Sequence, residues 1–157
     1  MKPSFSFRPP QLDEIVKIAD FQFACWQAAY VDILSDSFLS GMSRDHRRGQ
    51  WRHRLVSGER KIMAAWADDD VAGVVSWTDG DLASVRELKT LYVGASYQRS
   101  GLGRELLHLA VRDEPARLWV FEANIGAQIF YARHGFTATG DSNFDAETHA
   151  NELLFAR

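Results

Sequence analysis

Between Leu88 and Ala110 the chain runs from Leu-Lys-Thr-Leu-Tyr-Val through Gly-Ala-Ser-Tyr to Gln98-Arg99-Ser100-Gly101-Leu102-Gly103, then into Arg-Glu-Leu-Leu-His-Leu-Ala. The run from Val85 to Val93 is rich in Val, Leu, Thr and Tyr and favours a strand. After the loop, Leu102, Leu106 and Leu109 or Ala110 recur at helical spacing. A glycine loop that opens a helix presents unpaired backbone N–H groups at the positive end of the helix dipole. That is an anion cradle, and phosphate is the anion it suits. Gly101 and Gly103 would let the backbone approach such a ligand with no Cβ in the way. Two common phosphate loops fail on residues. A dinucleotide fingerprint needs a third glycine where Leu106 stands, and a Walker loop needs Gly-Lys where the chain has Gly103-Arg104. What remains is Gln98-x-x-Gly101-x-Gly103 after a strand. Taken alone, it leaves open a strand-to-helix turn whose glycines serve geometry only.

The elements that must hold this loop follow from periodicity and turn chemistry. Phe5 to Arg8 is a short strand closed by Pro9-Pro10. Leu12, Ile15, Val16, Ala19, Phe23, Trp26 and Tyr30 fall on one helical face, whose end, Trp26 and Tyr30, is placed to line a substrate pocket. Asp32 to Ser40 is a loop or short helix. Ser43 caps a helix to about Leu55, with Trp51 and Leu55 facing inward and Arg44, Arg47, Arg48, Arg52 and Arg54 on a solvated face. Lys61–Trp66 and Val71–Trp77 form a hairpin around Asp68-Asp69-Asp70, and Thr78-Asp79-Gly80-Asp81 is another turn. The helix after the glycine loop should stop before Pro115. Arg117 to Glu122 is a strand parallel to the one before the loop, because a crossover helix joins them. Asn124 caps a helix presenting Ala127, Phe130, Tyr131 and His134 on one face, with Gly135 at its carboxyl end. Phe136–Gly140 and His149–Phe155 are closing strands.

A chain of 157 residues with 46% hydrophobic and 25% charged residues is expected to form a single domain over residues 1–157 with a sizeable core. A net charge of −3 argues against a dedicated nucleic-acid binder. The single cysteine, Cys25, excludes an internal disulfide and fits a reducing, cytoplasmic setting. The amino terminus has no apolar core of a leader, and no apolar run is long enough for a membrane span. The five histidines show no metal-ligand spacing, so no metal is expected.

Three further segments make the loop specific. Asn124-x-x-Ala127-x-x-Phe130-Tyr131-x-x-x-Gly135-Phe136 resembles the second CoA-binding motif of the GCN5-related N-acetyltransferase (GNAT) superfamily. Glu87-Leu88-x-x-Leu91-Tyr92-Val93 is similar to its central strand. Trp26-x-x-Ala29-Tyr30, with Phe38-Leu39, Arg47 and Trp51, is similar to an amino-terminal pattern of one bacterial branch. The glycine loop then resembles the acyl-CoA pyrophosphate loop, and the likeness covers most of the chain in order. The chain departs at Gly94-Ala95-Ser96, where relatives often carry a proline.

The resemblance implies a mixed α/β fold: a mostly antiparallel central sheet flanked by helices, with a splayed parallel strand pair forming the acyl-CoA cleft. It implies acetyl-CoA as cofactor, with the backbone of Leu91, Tyr92 and Val93 along the pantetheine arm. The pyrophosphate would sit on the loop of Gln98, Arg99, Ser100, Gly101, Leu102, Gly103 and Arg104. Asn124 would contact the pantetheine or cap its helix. Acetyl transfer needs a neutral amine, a polarised carbonyl and a protonated leaving thiolate. An alkyl ammonium has a pKa of about 10.4, so a base helps at neutral pH. Glu87 is the candidate base, or else a strand carboxylate paired with Arg86 or Lys89. The Val93 N–H is the candidate for polarising the carbonyl. Tyr131 is the candidate acid at the sulfur, or else a packed aromatic. The acceptor implied is a primary amine of a small molecule, or of a peptide, approaching past Trp26 and Tyr30. A non-catalytic acyl-CoA-binding sensor is the alternative. A homodimer is common among such folds.

Overall fold

The computed structural model describes residues 2–80 and 84–157, so Asp81, the last residue of the expected turn after Thr78, lies outside the described residues. Seven strands form one sheet in the order β1-β2-β3-β4-β5-β7-β6. They are β1 (Ser6–Arg8), β2 (Lys61–Ala67), β3 (Asp70–Thr78), β4 (Arg86–Val93), β5 (Ala116–Phe121), β6 (Thr137–Asp145) and β7 (Ala150–Ala156). The helices are α1 (Ile15–Ala29), α2 (Asp36–Ser40), α3 (Arg44–Ser57), α4 (Leu102–Val111) and α5 (Ile125–Arg133). Strand pairs are antiparallel except β4 with β5, the pair that α4 connects. The expected parallel crossover is therefore present.

Two apolar layers sandwich the sheet. On one face, Leu102, Leu106, Ala110 and Val111 of α4 pack with Val75, Leu88 and Leu118, and Ala127, Phe130 and Tyr131 of α5 join them. The open choice between Leu109 and Ala110 resolves to Ala110, which is fully buried, whereas Leu109 is exposed. On the other face, Ile15, Ile18 and Ala19 of α1 meet Trp51 of α3 and Ile62, Trp66 and Val74 of the sheet. A third, smaller cluster of Leu34, Leu39 and Phe121 holds α2 near the carboxyl end of β5.

The buried stripe of α1 matches the expected one at Ile15 and Ala19 but is rotated elsewhere. Leu12 and Val16 are 45% and 43% exposed, while Ile15, Ile18, Ala19 and Gln22 are buried. Gln22 is admitted to the core because its Oε1 accepts the indole N–H of Trp51 at 3.4 Å. A buried polar group with a partner escapes the cost that an apolar pattern assumes. The arginines of α3 form a solvated face only in part: Arg44 and Arg52 are exposed, whereas Arg48 and Arg54 are half-buried and Arg47 is buried. Arg48 bonds both carboxylate oxygens of Asp20 at 3.0 and 2.8 Å, Arg44 lies over Phe23, and Arg54 lies over Trp51. Burial lowers the Arg54 guanidinium to about 10. Arg47 is only 7% exposed and lies over Trp26. Arg44, Arg47 and Arg48 tie α3 to Phe23, Trp26 and Asp20 of α1, whereas the Arg54 guanidinium lies over Trp51 of its own helix.

The amino-terminal strand is pinned to the same layer. Arg8 forks onto Glu14 at 2.7 and 2.8 Å, and Glu14 also accepts the Gln11 amide at 2.8 Å. The Arg8 bond, then the Gln11 bond, lower the Glu14 carboxyl from 4.5 to about 2. A depressed carboxyl stabilises the fold above its unfolded pKa and loses that contribution as pH falls through the folded value. Glu14→Gln should therefore lower the thermal midpoint at pH 7, and the two proteins should converge as the pH approaches 2. The effect is small, because Arg8 and its partner face solvent. A constant difference across an acid titration followed by circular dichroism would contradict this.

Candidate active site

The cleft is made by a strand pair that stops pairing. β4 and β5 match only at Arg86↔Ala116, Glu87↔Arg117 and Leu88↔Leu118. Against β3, Leu88 faces Trp77 and Thr90 faces Ser76, leaving Lys89 as an extra residue in a bulge. A bulge bends its strand and sharpens the local twist. Past it, β4 and β5 part and enclose a cavity of about 910 Å³. Lys89 to Val93 line one wall and Trp119 to Phe121 the other. The Gly94 amide donates to Ala72 of β3 at 2.8 Å. Amides alternate in direction along an extended strand, so those of Leu91 and Val93 face the open edge instead.

The segment leading to α4 reaches the cleft through Gly94, Ala95 and Gln98, and the glycine loop follows it, with Arg99 to Arg104 outside the lining. A single 3-10 turn spans Ala95–Tyr97, and α4 begins at Leu102. Gly101 is the residue before the helix, with φ of 90°, a left-handed conformation that glycine takes without strain. The Leu102 amide is satisfied by Ser100 Oγ at 3.3 Å, and Glu105 donates to the Gly101 carbonyl at 3.1 Å. Among the described residues, nothing accepts from the amides of Gly101, Gly103 and Arg104. These donors stand at the start of a ten-residue helix, at the positive end of its dipole. Gln98 lines the cleft. The Arg104 side chain lines a separate cavity of about 430 Å³ with His134 and Arg157. Arg99 adopts φ of 62°, which turns the chain into the loop.

The candidate side chains are only partly brought together. Tyr131 lines the cleft from α5, and burial pushes its phenol above the ordinary value. Asn124 also lines it, and its Oδ1 caps α5 by accepting the Ala127 amide at 3.2 Å. The Tyr92 side chain crosses to the α1 face, where its hydroxyl accepts the Trp26 indole N–H at 2.7 Å. Trp26 and Tyr30 line the cleft. Their rings meet edge to face at 5.0 Å, and Tyr30 meets Phe121 likewise at 5.1 Å. Glu87 stands elsewhere. It is 8% exposed and is not among the cleft-lining residues; its carboxylate meets Lys89 Nζ at 2.6 Å and Arg117 Nε at 4.0 Å. Cys25 lines the cleft, but burial pushes its thiol up to about 11, so it is no thiolate nucleophile at neutral pH.

Sequence reasoning missed Lys89, Asp145 and Glu152 in the lining. Lys89 had no signal, because a bulge is not written in strand periodicity. Asp145 and Glu152 lie on β6 and β7, whose alternation of side chains does not say which carboxylate meets the cleft. Among the described residues no three metal-ligating side chains gather, and no helix is long and apolar enough to cross a membrane.

Comparison with known proteins agrees with this geometry. Residues 33–149 match the family described as acetyltransferase (GNAT) domain. An uncharacterized N-acetyltransferase of Mycobacterium tuberculosis (strain ATCC 25618 / H37Rv) is 28% identical over 154 residues, covering 92% of this chain and 96% of the relative. Among solved structures, the PaiA N-acetyltransferase of Thermoplasma acidophilum in complex with coenzyme A superposes with a TM-score of 0.78 at 18% identity, over 98% of each chain. YncA of Salmonella typhimurium, a putative acetyltransferase solved with acetyl-CoA, gives 0.68 at 15% identity, over 98% of this chain and 93% of that one. The matched stretch contains the bulged strand, the glycine loop and the capped helix of Tyr131, and on that match this chain belongs to the GNAT acetyltransferase family.

Proposed function

We propose that this chain moves an acetyl group from acetyl-CoA to a primary amine by direct attack within the cleft between β4 and β5. The observation that carries this reading is the set of unmatched amides at Gly101, Gly103 and Arg104, opening beside a cleft that Tyr131 lines. The residues fit the cofactor. Three amide donors and a helix dipole suit a diphosphate. The outward amides of Leu91 and Val93 suit the amide groups of a pantetheine arm. Acetyl-CoA, when bound, supplies the activated thioester.

The chain supplies the rest. The Val93 N–H polarises the carbonyl by pointing at the oxygen where negative charge develops. Tyr131 donates a hydrogen bond to the departing sulfur. Its raised phenol pKa keeps the proton on oxygen, so the group is a donor across the neutral range. Glu87 would reach an amine only through water past Lys89, which makes it a weaker candidate base than a carboxylate in the lining. Trp26 and Tyr30 form the wall that the acceptor approaches.

The test is a thermal-shift comparison of acetyl-CoA, CoA, NADH and ATP. A ligand at about 100 times its dissociation constant adds roughly 2.7 kcal/mol, enough to raise the midpoint visibly. Stabilisation by acetyl-CoA and CoA alone is expected, followed by thiol release in the presence of primary amines. A shift only with ATP or NADH would overturn the cofactor. Stabilisation without thiol release from any amine would favour a sensor.

A further inference from the structure

We propose that Glu152 is the carboxylate on which the acceptor's ammonium group lands and to which it gives up its proton. This rests on the acetyl-transfer reading and names both the base and the acceptor class. Glu152 is on β7, directly opposite Phe121 of β5 and Asn143 of β6, and lines the cleft. Residues directly opposite share a face of the sheet. Glu152 thus stands at the foot of the wall formed by Phe121, Tyr30 and Trp26, whose rings meet edge to face.

The other carboxylates are engaged. Asp145 Oδ2 accepts the Thr148 amide at 3.1 Å and its hydroxyl at 2.5 Å. Glu147 pairs with Arg47 at 3.8 Å. Glu87 pairs with Lys89 and is not in the lining. Among the described residues, Glu152 has no cationic partner; its neighbours are the Asn143 amide and the charge of Asp145. The other titratable groups of the cleft are Tyr30, Lys89, Tyr92, Tyr131 and Glu147, with Cys25 behind them. Burial and then Asp145 raise the Glu152 carboxyl above its ordinary value, against the pull of the Asn143 bond. A partly desolvated carboxylate without a counter-ion favours a cation or a proton. An aromatic wall beside it suits an apolar body and the face of an ammonium. The acceptor class is therefore an alkyl- or arylalkylamine.

The step balances as follows. The ammonium R–NH3+ gives one proton to Glu152, which passes it to bulk water. The nitrogen lone pair forms the N–C bond while the C–S bond breaks and its electron pair goes to sulfur. A second nitrogen proton ends on that sulfur by way of the Tyr131 hydroxyl. The products are the amide, CoA thiol and one released proton.

The experiment measures thiol release from acetyl-CoA with butylamine and 2-phenylethylamine, from pH 5 to 9, in wild type, Glu152→Gln, Glu152→Asp and Glu87→Gln. Loss of a general base costs roughly 100-fold or more. Glu152→Gln should lower kcat/KM by about 100-fold and remove the acidic limb of its profile, and Glu152→Asp should recover part of both. Glu87→Gln should cost less than Glu152→Gln and keep the limb. A raised carboxyl stabilises the fold below its unfolded pKa and loses that contribution as pH rises through the folded value. Glu152→Gln should accordingly raise the midpoint at pH 8 relative to wild type and lose that advantage in acid, while acetyl-CoA still stabilises it. An unaltered profile in Glu152→Gln, or loss of the limb in Glu87→Gln alone, would overturn the assignment. So would acetyl-CoA binding with no turnover of either amine. Failure of acetyl-CoA to bind wild type would instead overturn the reading on which it rests.

Discussion

Gly101→Asp should weaken acetyl-CoA binding by roughly 10³-fold while leaving the fold standing. The position precedes α4, has φ of 90°, and has open space where a Cβ would go. Asp tolerates the left-handed region better than most residues, at a cost of roughly 1–2 kcal/mol. It is also a favoured residue ahead of a helix, where its carboxylate accepts amides of the first turn, a gain over glycine of only about a few tenths of a kcal/mol. The net cost is therefore about 1–2 kcal/mol, which lowers the unliganded midpoint of a chain this size by only a few degrees. The cofactor meets a different situation. The amides of Gly103 and Arg104 are now occupied by an internal anion, and a second anion is repelled. Two unit charges at about 4 Å and an effective dielectric of about 20 interact by about 4 kcal/mol, which is roughly a 10³-fold loss of affinity. The check is calorimetric titration with acetyl-CoA beside Gly101→Ala, which adds the backbone strain without the charge and should lose far less. If Gly101→Asp binds as wild type does, the glycines serve the turn alone.

Tyr131→Phe should lower turnover by roughly 10²- to 10³-fold, within the range of a lost proton donor, without changing acetyl-CoA stabilisation. The ring packs on the α4 core and meets Phe130 and Phe136 edge to face, contacts that phenylalanine keeps. No described hydrogen bond depends on the hydroxyl, so its removal should not weaken the fold. The loss should therefore fall in kcat rather than KM, because the bond to sulfur strengthens only as negative charge develops there. Burial raises the phenol above its ordinary value, so Tyr131 does not titrate in the neutral range. Any basic limb of the wild-type profile below about pH 10 should thus persist in Tyr131→Phe. Equal turnover in both proteins would remove Tyr131 from the chemistry, and a limb that vanishes with the hydroxyl would make it a titrating acid.

The two variants separate binding from chemistry along elements that differ in how openly the sequence shows them. The glycine loop and the Asn124 cap are local. A helix start must satisfy or expose its own first amides, so the residues within a few positions decide the geometry. The parallel relation of β4 and β5 was legible for a similar reason, since a helix between two strands leaves one common connection. The fold class and the family followed from these pieces and from the spacing of the motifs.

Other features were decided only by contacts between distant segments. The bulge at Lys89 is a shift of register between β3 and β4 at Ser76 and Trp77, and β4 stops pairing with β5 beside it. Gln22 is buried because Trp51, on another helix, offers it an indole N–H. Arg47 is buried because Trp26 and Glu147, from opposite ends of the chain, close around it. Glu87 and Glu152 are indistinguishable as letters. One is ion-paired below the cleft and the other stands in its wall without a counter-ion, because β4 carries Lys89 and β7 carries no cation at the matching place. Residue type and spacing determined by themselves that a glycine loop opens α4 with unpartnered amides. Which carboxylate stands in the cleft wall was set by sheet order, a bulge and the placement of charges, since burial and Coulomb energies depend on neighbours that only the folded chain brings together.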